Sequence, residues 1–509
     1  MKHRIAWSLL AAGALLAGAT VPAAATRAAA QQHPSDRATL LSYATATWRS
    51  MTALTDPHTA LPADNIAGDL TPGSRSAYTS PTNIGAYLWS TVVADDLHLI
   101  RHGEAIQRLR ATLRTLSQLD RNASSGMFYN WYNPSTTAVL HTWPVDGSTI
   151  TPFLSSVDNG WLAAALMVVA RKEPAVAAAA DRILRPMDFG FYYDPVKNQL
   201  RGGFYDTQPP GCSIVGNYVH RGPDVWYTCN TYDVLNSEPR IATYIGIARG
   251  EVPAKQYFGL NRTFPPTCDF GFKMKPTGYY TTYLGQKVFE GSYEYRGLKF
   301  VPTWGGDMFE AMMPGLFVPE ARWAPNSWGR NNPVYVAGQI EHGLDDAGYG
   351  YWGFSPSDDP KGGYTAFGAP PLGMSPDGYQ SDEEGTKYDP GFPGCRDATN
   401  PHPTYGDGVV TPHASFLALE YAPQQVMRNL AKLKENFNSY GTGGFYDAIA
   451  VRSGNVAKSY LALDQGMIMG TLGNYLAHGD LRKAFTAGAV SATVKPLLGI
   501  ETFGIPAKQ

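Results

Sequence analysis

The sequence predicts an all-α protein, an (α/α)6 barrel or double-layered helical toroid, carrying short β-hairpins and long loops. Three observations predict it. About a dozen segments carry apolar residues at helical spacing. They follow one another through Gly-rich turns and long connections, which suits antiparallel helices whose loops and ends surround a central cavity. No fixed repeat period runs through the chain, which speaks against an elongated helical repeat.

The periodic segments are Arg37–Leu54, Pro81–Ile100, Gly103–Leu119, Val157–Arg171, Ala175–Met187, Ser237–Arg249, Asp307–Phe317, Pro333–Ala347, Pro412–Tyr421, Pro423–Phe437, Leu463–Leu476 and Leu481–Phe485. Pro333, Pro412 and Pro423 stand near the first helical position, where a missing N–H is not needed. Lys287–Pro302, KVFEGSYEYRGLKFVP, alternates as a hairpin does. One phrase echoes along the chain, GMFYN at Gly126 and GGFYD at Gly202 and Gly443. Each echo reads as a turn into a short strand, either a repeated packing device or a ligand site. Gly348–Gly408 is rich in Gly, Pro and Asp, and so long a loop region in a compact protein tends to carry function.

The first 30 residues read as a signal peptide: a basic start, an apolar run from Ile5 to about Val21, and small residues suited to cleavage after Ala25 or Ala30. The expectation is an exported chain, secreted or periplasmic, with residues 31–509 forming one catalytic domain. No later apolar run reaches the roughly 18 residues of a membrane helix. Net charge is −2, from 41 basic and 43 acidic residues with no basic block, so nucleic acid is not an expected partner. The 30 Tyr and 11 Trp suit an amphipathic ligand such as a sugar, whose C–H faces stack on rings. Four cysteines, Cys212, Cys229, Cys268 and Cys395, fit two disulfides in an oxidising compartment. Three pairings are open. Cys212 with Cys229 is favoured because the intervening segment is short and loop-like. Zinc is disfavoured, since there is no CxxC pair and no histidine at finger spacing. No metal and no cofactor are expected, and the chain is expected to be a monomer.

The segment Thr303–Phe317, TWGGDMFEAMMPGLF, sets Glu310 among apolar side chains after a Trp-Gly-Gly turn. Read alone, it is a capping box: Asp307 caps the helix and Glu310 reaches back to the cap's backbone N–H. A helix amino terminus favours the charged carboxylate, whereas Trp304, Phe309, Met312 and Met313 would desolvate it and raise its pKa.

Five phrases follow one another in order: TYDVLNSEPRIATYIGIARGEVP from Thr231, WGGDMFEAMMP from Trp304, YWGFSPSDDPKGGYTAFGAP from Tyr351, GVVTPHASFLAL from Gly408 and YLALDQGMI from Tyr460. With them the chain resembles the glycoamylase-like family, which includes the endo-β-1,2-glucanases of glycoside hydrolase family 144 and the carboxy-terminal region of cyclic β-1,2-glucan synthases. The resemblance extends over nearly all of the chain beyond the signal segment. It implies an (α/α)6 barrel and cleavage of a β-linked glucan through carboxylates, with Glu310 as the acid. Hydrolysis needs a second carboxylate as base or nucleophile, and Asp464 in LALDQG is the first choice. Its alternative is an ordinary helix cap.

Asp233 and Glu238 compete for the base role and, with Arg240, are expected to bind sugar hydroxyls, the alternative being a salt-linked helix start of the two acids with Arg240. Trp304, Trp328, Trp352, Ser355, Asp358 and Tyr364 read as a binding wall, and His413 as a subsite residue where the family often has Tyr. Pro356 in WGFSPS replaces the acidic residue expected in the synthase branch, which favours a hydrolase over a transglycosylase, and the resemblance to the glucanase branch implies inversion. Two other classes remain: a glycan-binding protein on the same scaffold, and a polysaccharide lyase. The lyase ranks last because no basic residues cluster around the motifs.

Overall fold

A computed structural model describes residues 34–374 and 387–507. The signal segment lies outside the described residues. Among them no helix is long and apolar enough to cross a membrane.

Six helices are buried along almost their whole length: Pro81–Asp96, Ser156–Lys172, Arg240–Ala248, Met308–Met312, Pro412–Leu417 and Ala462–Leu476. A helix apolar on all sides belongs inside a protein. Four of the five successive pairs pack directly, and the last returns to the first. Between the third and fourth the link is Arg240, which donates to the carbonyls of Glu310 at 2.8 Å and Ala311 at 2.7 Å. Around them lie amphipathic helices, among them His102–Leu116, Pro174–Leu184 and Pro423–Asn436, each turning an apolar stripe inward. One continuous core runs from Leu40 to Ile505.

Prolines adjust several expected boundaries. The helix expected over Asp307–Phe317 is α-helical only to Met312 and continues as a 3₁₀ turn over Met313–Leu316, because Pro314 supplies no N–H and crowds the preceding turn. The helix expected from Ser237 begins at Arg240, after Pro239. A residue before proline avoids the helical region, so Glu238 stays in the entering loop. Pro333 does not open its helix but lies inside Trp328–Glu341. There the burial of Trp328 beneath Arg240, whose guanidinium carbon is 4.5 Å from the ring centroid, outweighs one lost backbone bond. Two helices escaped the periodicity: Glu320–Trp323, a single turn, and Ala489–Gly499, which contains Pro496.

The strands are short and, among the described residues, form seven small sheets. The expected hairpin is present as Gln286–Tyr295 with Leu298–Phe300, extended by Thr277–Tyr283. Both disulfides are formed, Cys212–Cys229 as favoured and Cys268–Cys395. The first joins the ends of adjacent strands, where Ser213 pairs with Thr228. Asn65–Ala67 pairs antiparallel with Ser459–Leu461, and the Ala462 N–H donates to the Asp64 carbonyl at 2.7 Å. This pairing seats the start of the last buried helix beside a segment that precedes the first.

Candidate active site

The amino-terminal ends of five of the six buried helices converge on one cavity of about 880 Å³. Asp158 lies in the first turn of the second helix, Glu238 just before the third, and Asp464 in the first turn of the sixth. All three line the cavity, together with Asp64, Asp358 and Tyr364. The lining also includes Asp359 against two lysines, Lys361 and Lys458. The cavity is therefore strongly acidic.

Glu310 sits at its margin, 8% exposed, next to the lining residue Phe309. The Asp307 side chain accepts from the Glu310 N–H at 2.8 Å, so half of the capping box forms. The other half does not. The Asp307 N–H donates to Thr303 Oγ1 at 3.2 Å, and the Glu310 carboxyl instead accepts from the Trp304 N–H at 3.1 Å and from Ser237 Oγ at 3.4 Å. The turn that allows this needs Gly306, with φ +84° and a Cβ position 1.9 Å from the Ala369 carbonyl. Burial raises the Glu310 pKa to about 7 against the opposing pull of the Trp304 N–H. Asp307, also buried and beside Glu310, is pushed well above the carboxylate range.

Asp464 is 3% exposed, and burial raises it to about 8. Its neighbours are His413 and Asp447. Nδ1 of His413 lies 3.2 Å from Oδ2 of Asp464 without hydrogen-bonding geometry. Burial lowers His413 to about 4, so at neutral pH this is an uncharged imidazole beside a carboxyl group rather than an ion pair. Asp447 is raised well above the usual range by burial and by Asp464. Its Oδ2 accepts from the Asp358 N–H at 2.7 Å. The donor atoms of His413, Asp447 and Asp464 lie within 4.8 Å of one another, as do those of Asp95, His102 and Glu173 at the carboxy-terminal ends of the first two buried helices and the start of His102–Leu116. Either trio has the donor types of a divalent-cation site.

The remaining acids are held by neutral donors. Trp161 Nε1 donates to Glu238 at 2.6 Å, and burial raises Glu238 to about 8. Asn83 Nδ2 donates to Asp64 at 2.7 Å, and burial raises that group to about 6. Thr82 Oγ1 donates to Asp158 at 2.5 Å, and the Asn130 amide, turned with its nitrogen toward it, at 2.8 Å. Ser459 Oγ donates to Asp358.

Several expected binding residues do not reach the cavity. Arg240 is 1% exposed and forms a two-bond ion pair with Glu320 at 2.7 and 3.0 Å, which makes it a structural tie rather than a sugar ligand. Its salt link goes to Glu320, not to Asp233 or Glu238. Trp328 is fully buried, donating to Tyr257 at 3.0 Å. Trp352 and Ser355 are buried as well. Their loop supports the Glu310 helix: the Phe354 carbonyl accepts from Met308 at 3.0 Å, and Ser355 Oγ from Phe309 at 3.2 Å. Asp233 lies outside the cavity lining, as does His413, which is buried behind Asp464. Trp304 is half-buried, with the Lys273 ammonium 3.4 Å from its ring centroid. Missing from the sequence reading are Asp64, Asp158 and Asp447. The recurring phrase was the available signal for Asp447 and for Asn130, since both end an echo. Asp206, ending the third, accepts from Asn122 at 2.7 Å and Tyr129 at 2.6 Å.

Residues 272–488 match a family model described as Glycoamylase, putative glucoamylase, and residues 42–206 match one described as a protein of unknown function, DUF3131. The chain is 26% identical over 324 residues, 61% of its length, to the cyclic β-(1,2)-glucan synthase NdvB of Rhizobium meliloti, and spans 9% of that protein. A putative glucoamylase from Bacteroides caccae superposes with a TM-score of 0.62 at 20% identity, covering 91% of this chain and 99% of that one. An endo-β-1,2-glucanase from Chitinophaga pinensis, solved with sophorotriose and glucose, superposes with a TM-score of 0.62 at 18% identity, covering 91% and 98%. The resemblance therefore holds at this level: residues 272–488 match the glycoamylase family model, and the chain shares its fold with putative glucoamylases and with an endo-β-1,2-glucanase.

Proposed function

We propose that the protein is an exported endo-acting β-glucan hydrolase, with linear β-1,2-glucan as its substrate, built as a single (α/α)6 domain over residues 31–509. The observation that carries the reading is the meeting of buried carboxyls with raised pKa values at one cavity, formed by helix ends from both halves of the chain. The closed succession of six buried helices supports the barrel. Two disulfides suit an oxidising compartment and so support export. The fold likeness to an endo-β-1,2-glucanase supports the linkage.

In the proposed reaction Glu310, protonated at rest because it is buried, gives its proton to the glycosidic oxygen as the C1–O bond breaks. Water attacks C1 from the opposite face and passes its proton to Asp464, so the anomeric centre inverts. When the Asp447–Asp464 pair loses a proton, Asp447 keeps the one that remains, so the ionised member that receives a proton from water is Asp464. Asp64, Asp158, Glu238 and Asp358 accept hydrogen bonds from sugar hydroxyls. So many acids against two lysines suit a neutral glycan and would repel the uronates a lyase needs.

Glu238 is the alternative acid. It lines the cavity directly and is raised as far as Asp464. The test is a screen of the full mature chain on linear β-1,2-, β-1,3-, β-1,4- and α-linked glucans with product sizing, alongside Glu310→Gln and Glu238→Gln. Cleavage of β-1,2-glucan into oligosaccharides that is lost in Glu310→Gln is expected. Turnover of none of these glucans by the wild type would overturn the reading.

A further inference from the structure

Along part of the cavity the lining changes from acidic to aromatic. Tyr78, Trp131 and Trp143 line it, and all three are half-buried. Their ring centroids are 4.5 Å apart for Tyr78 and Trp143, 5.2 Å for Trp131 and Trp143, and 5.7 Å for Tyr78 and Trp131. Val145, two residues beyond Trp143, lines the same cavity and is 72% exposed. The cluster joins the acids without a break, because the Tyr78 hydroxyl accepts from Asn65 Nδ2 at 3.0 Å and Asn65 donates in turn to Asp64 at 3.2 Å.

Two consecutive tight turns present these rings. Tyr132 exchanges backbone bonds with Thr79 at 2.9 and 3.0 Å, and its hydroxyl donates to the Asp120 carbonyl at 2.6 Å, which anchors the base. Further out, Trp143 donates to the Ser148 carbonyl at 2.7 Å and accepts from Gly147 at 2.9 Å, while the Asp146 side chain accepts from Ser148. Gly147, at φ +74°, closes this turn. Folding alone does not ask for an apolar tip on a solvent-facing loop. Half-covered indoles suit a flat partner with C–H faces and hydroxyl edges, as a pyranose has.

We propose that Tyr78, Trp131, Trp143 and Val145 form a distal glycan platform that holds sugar units of the same chain remote from the scissile linkage. Cleavage then depends on chain length: a polymer reaches both the acids and the platform, and a short oligosaccharide reaches only the acids. The proposal rests on the hydrolase reading above.

The experiment compares wild type, Trp143→Ala and Val145→Asp, each as the full mature chain, on polymeric linear β-1,2-glucan and on its short oligosaccharides, with affinity electrophoresis in the polymer and a thermal midpoint for each. For Trp143→Ala the ratio of kcat/KM on polymer to that on oligosaccharide should fall about tenfold, mainly through KM. Val145→Asp should move the ratio the same way at an unchanged thermal midpoint. A ratio equal to wild type in both variants overturns the platform and leaves the hydrolase standing, even if Trp143→Ala is less stable, since a purely structural cluster would lower stability alone. Polymer binding without cleavage by the wild type, lost in Trp143→Ala, retains the platform and overturns the hydrolase. Neither binding nor cleavage by the wild type overturns both.

Discussion

The backbone N–H of Trp304 donates to Oε2 of Glu310 at 3.1 Å, in the place of the Asp307 N–H that a capping box would use. Asp307 alone holds the helix start, through the Glu310 N–H. One carboxylate therefore caps, and its neighbour is left for the acid role we propose.

Replacement of Glu310 by Gln keeps a side chain of the same shape that can still accept from Trp304 and Ser237, but it removes the proton to be donated. The expected result is a folded protein whose kcat falls by more than about 100-fold. Glu238→Gln should cost less, chiefly in KM. The reverse order of kcat losses would move the acid role to Glu238.

Asp447 bears on the ionisation of Asp464 as a hydrogen-bond donor that favours the charged form of its neighbour. In Asp447→Ala that donor disappears, so less of Asp464 is ionised and kcat/KM at neutral pH should fall by about tenfold or more. An unchanged kcat/KM would separate Asp447 from the base. The same trio has the donors for a cation, so turnover after dialysis against EDTA is a useful control; it should match the untreated protein, because a metal-bound Asp464 would not be free to accept a proton.

The active-site acids should also set part of the pH dependence of stability. Glu310 and Asp464 have folded pKa values of about 7 and about 8, above the ordinary carboxyl value. For such a group the folded state binds the proton more tightly, so its stabilising contribution is complete below the unfolded pKa of about 4 and is lost as pH rises through the folded value. Glu310→Gln should therefore have a higher thermal midpoint than wild type at about pH 8, by an equivalent of about 2–4 kcal/mol, and a much smaller advantage at about pH 4.5. A pH-independent difference between the two proteins would mean that Glu310 titrates normally.

Arg240, placed by the structure in an ion pair with Glu320, should behave as a structural residue. Arg240→Ala leaves Glu320 buried and unpaired, and a loss of about 3–5 kcal/mol in stability is expected. A stable Arg240→Ala protein with weakened substrate binding would restore the sugar-binding role.

Reduction should lower the thermal midpoint. The two disulfides span 17 and 127 residues. In the chain-entropy model loops of these lengths contribute about 3 and about 5 kcal/mol. An unchanged midpoint in reducing agent would show that the bridges do not restrain the unfolded chain.

Helical periodicity by itself located the long buried and amphipathic helices, because burial of an apolar face is a local pattern repeated every few residues. Pro239 and Pro314 were visible too, although their effect on the boundaries at Arg240 and Met312 depended on which turns had packing partners. The motifs marked Glu310 and Asp464, and both come to one cavity margin or wall. What the sequence left undecided is the direction of side chains within a motif. Arg240 and Glu238 are two residues apart, yet one points to Glu320 in the core and the other to the cavity. Trp328 and Trp352 carry the same chemistry as Trp131 and Trp143, and only burial separates packing rings from rings that face the cleft. Asp64 and Asp158 lie far apart along the chain and carry no local signal, and Asp447 was marked only by the echoed phrase. Asp64 and Asp158 became site residues when the strand pairing of Asn65–Ala67 with Ser459–Leu461 and the ring of helix starts brought them to one cavity, with Asp447 beside Asp464. Desolvation there, a property of the assembled interior and of no single segment, raises their pKa values.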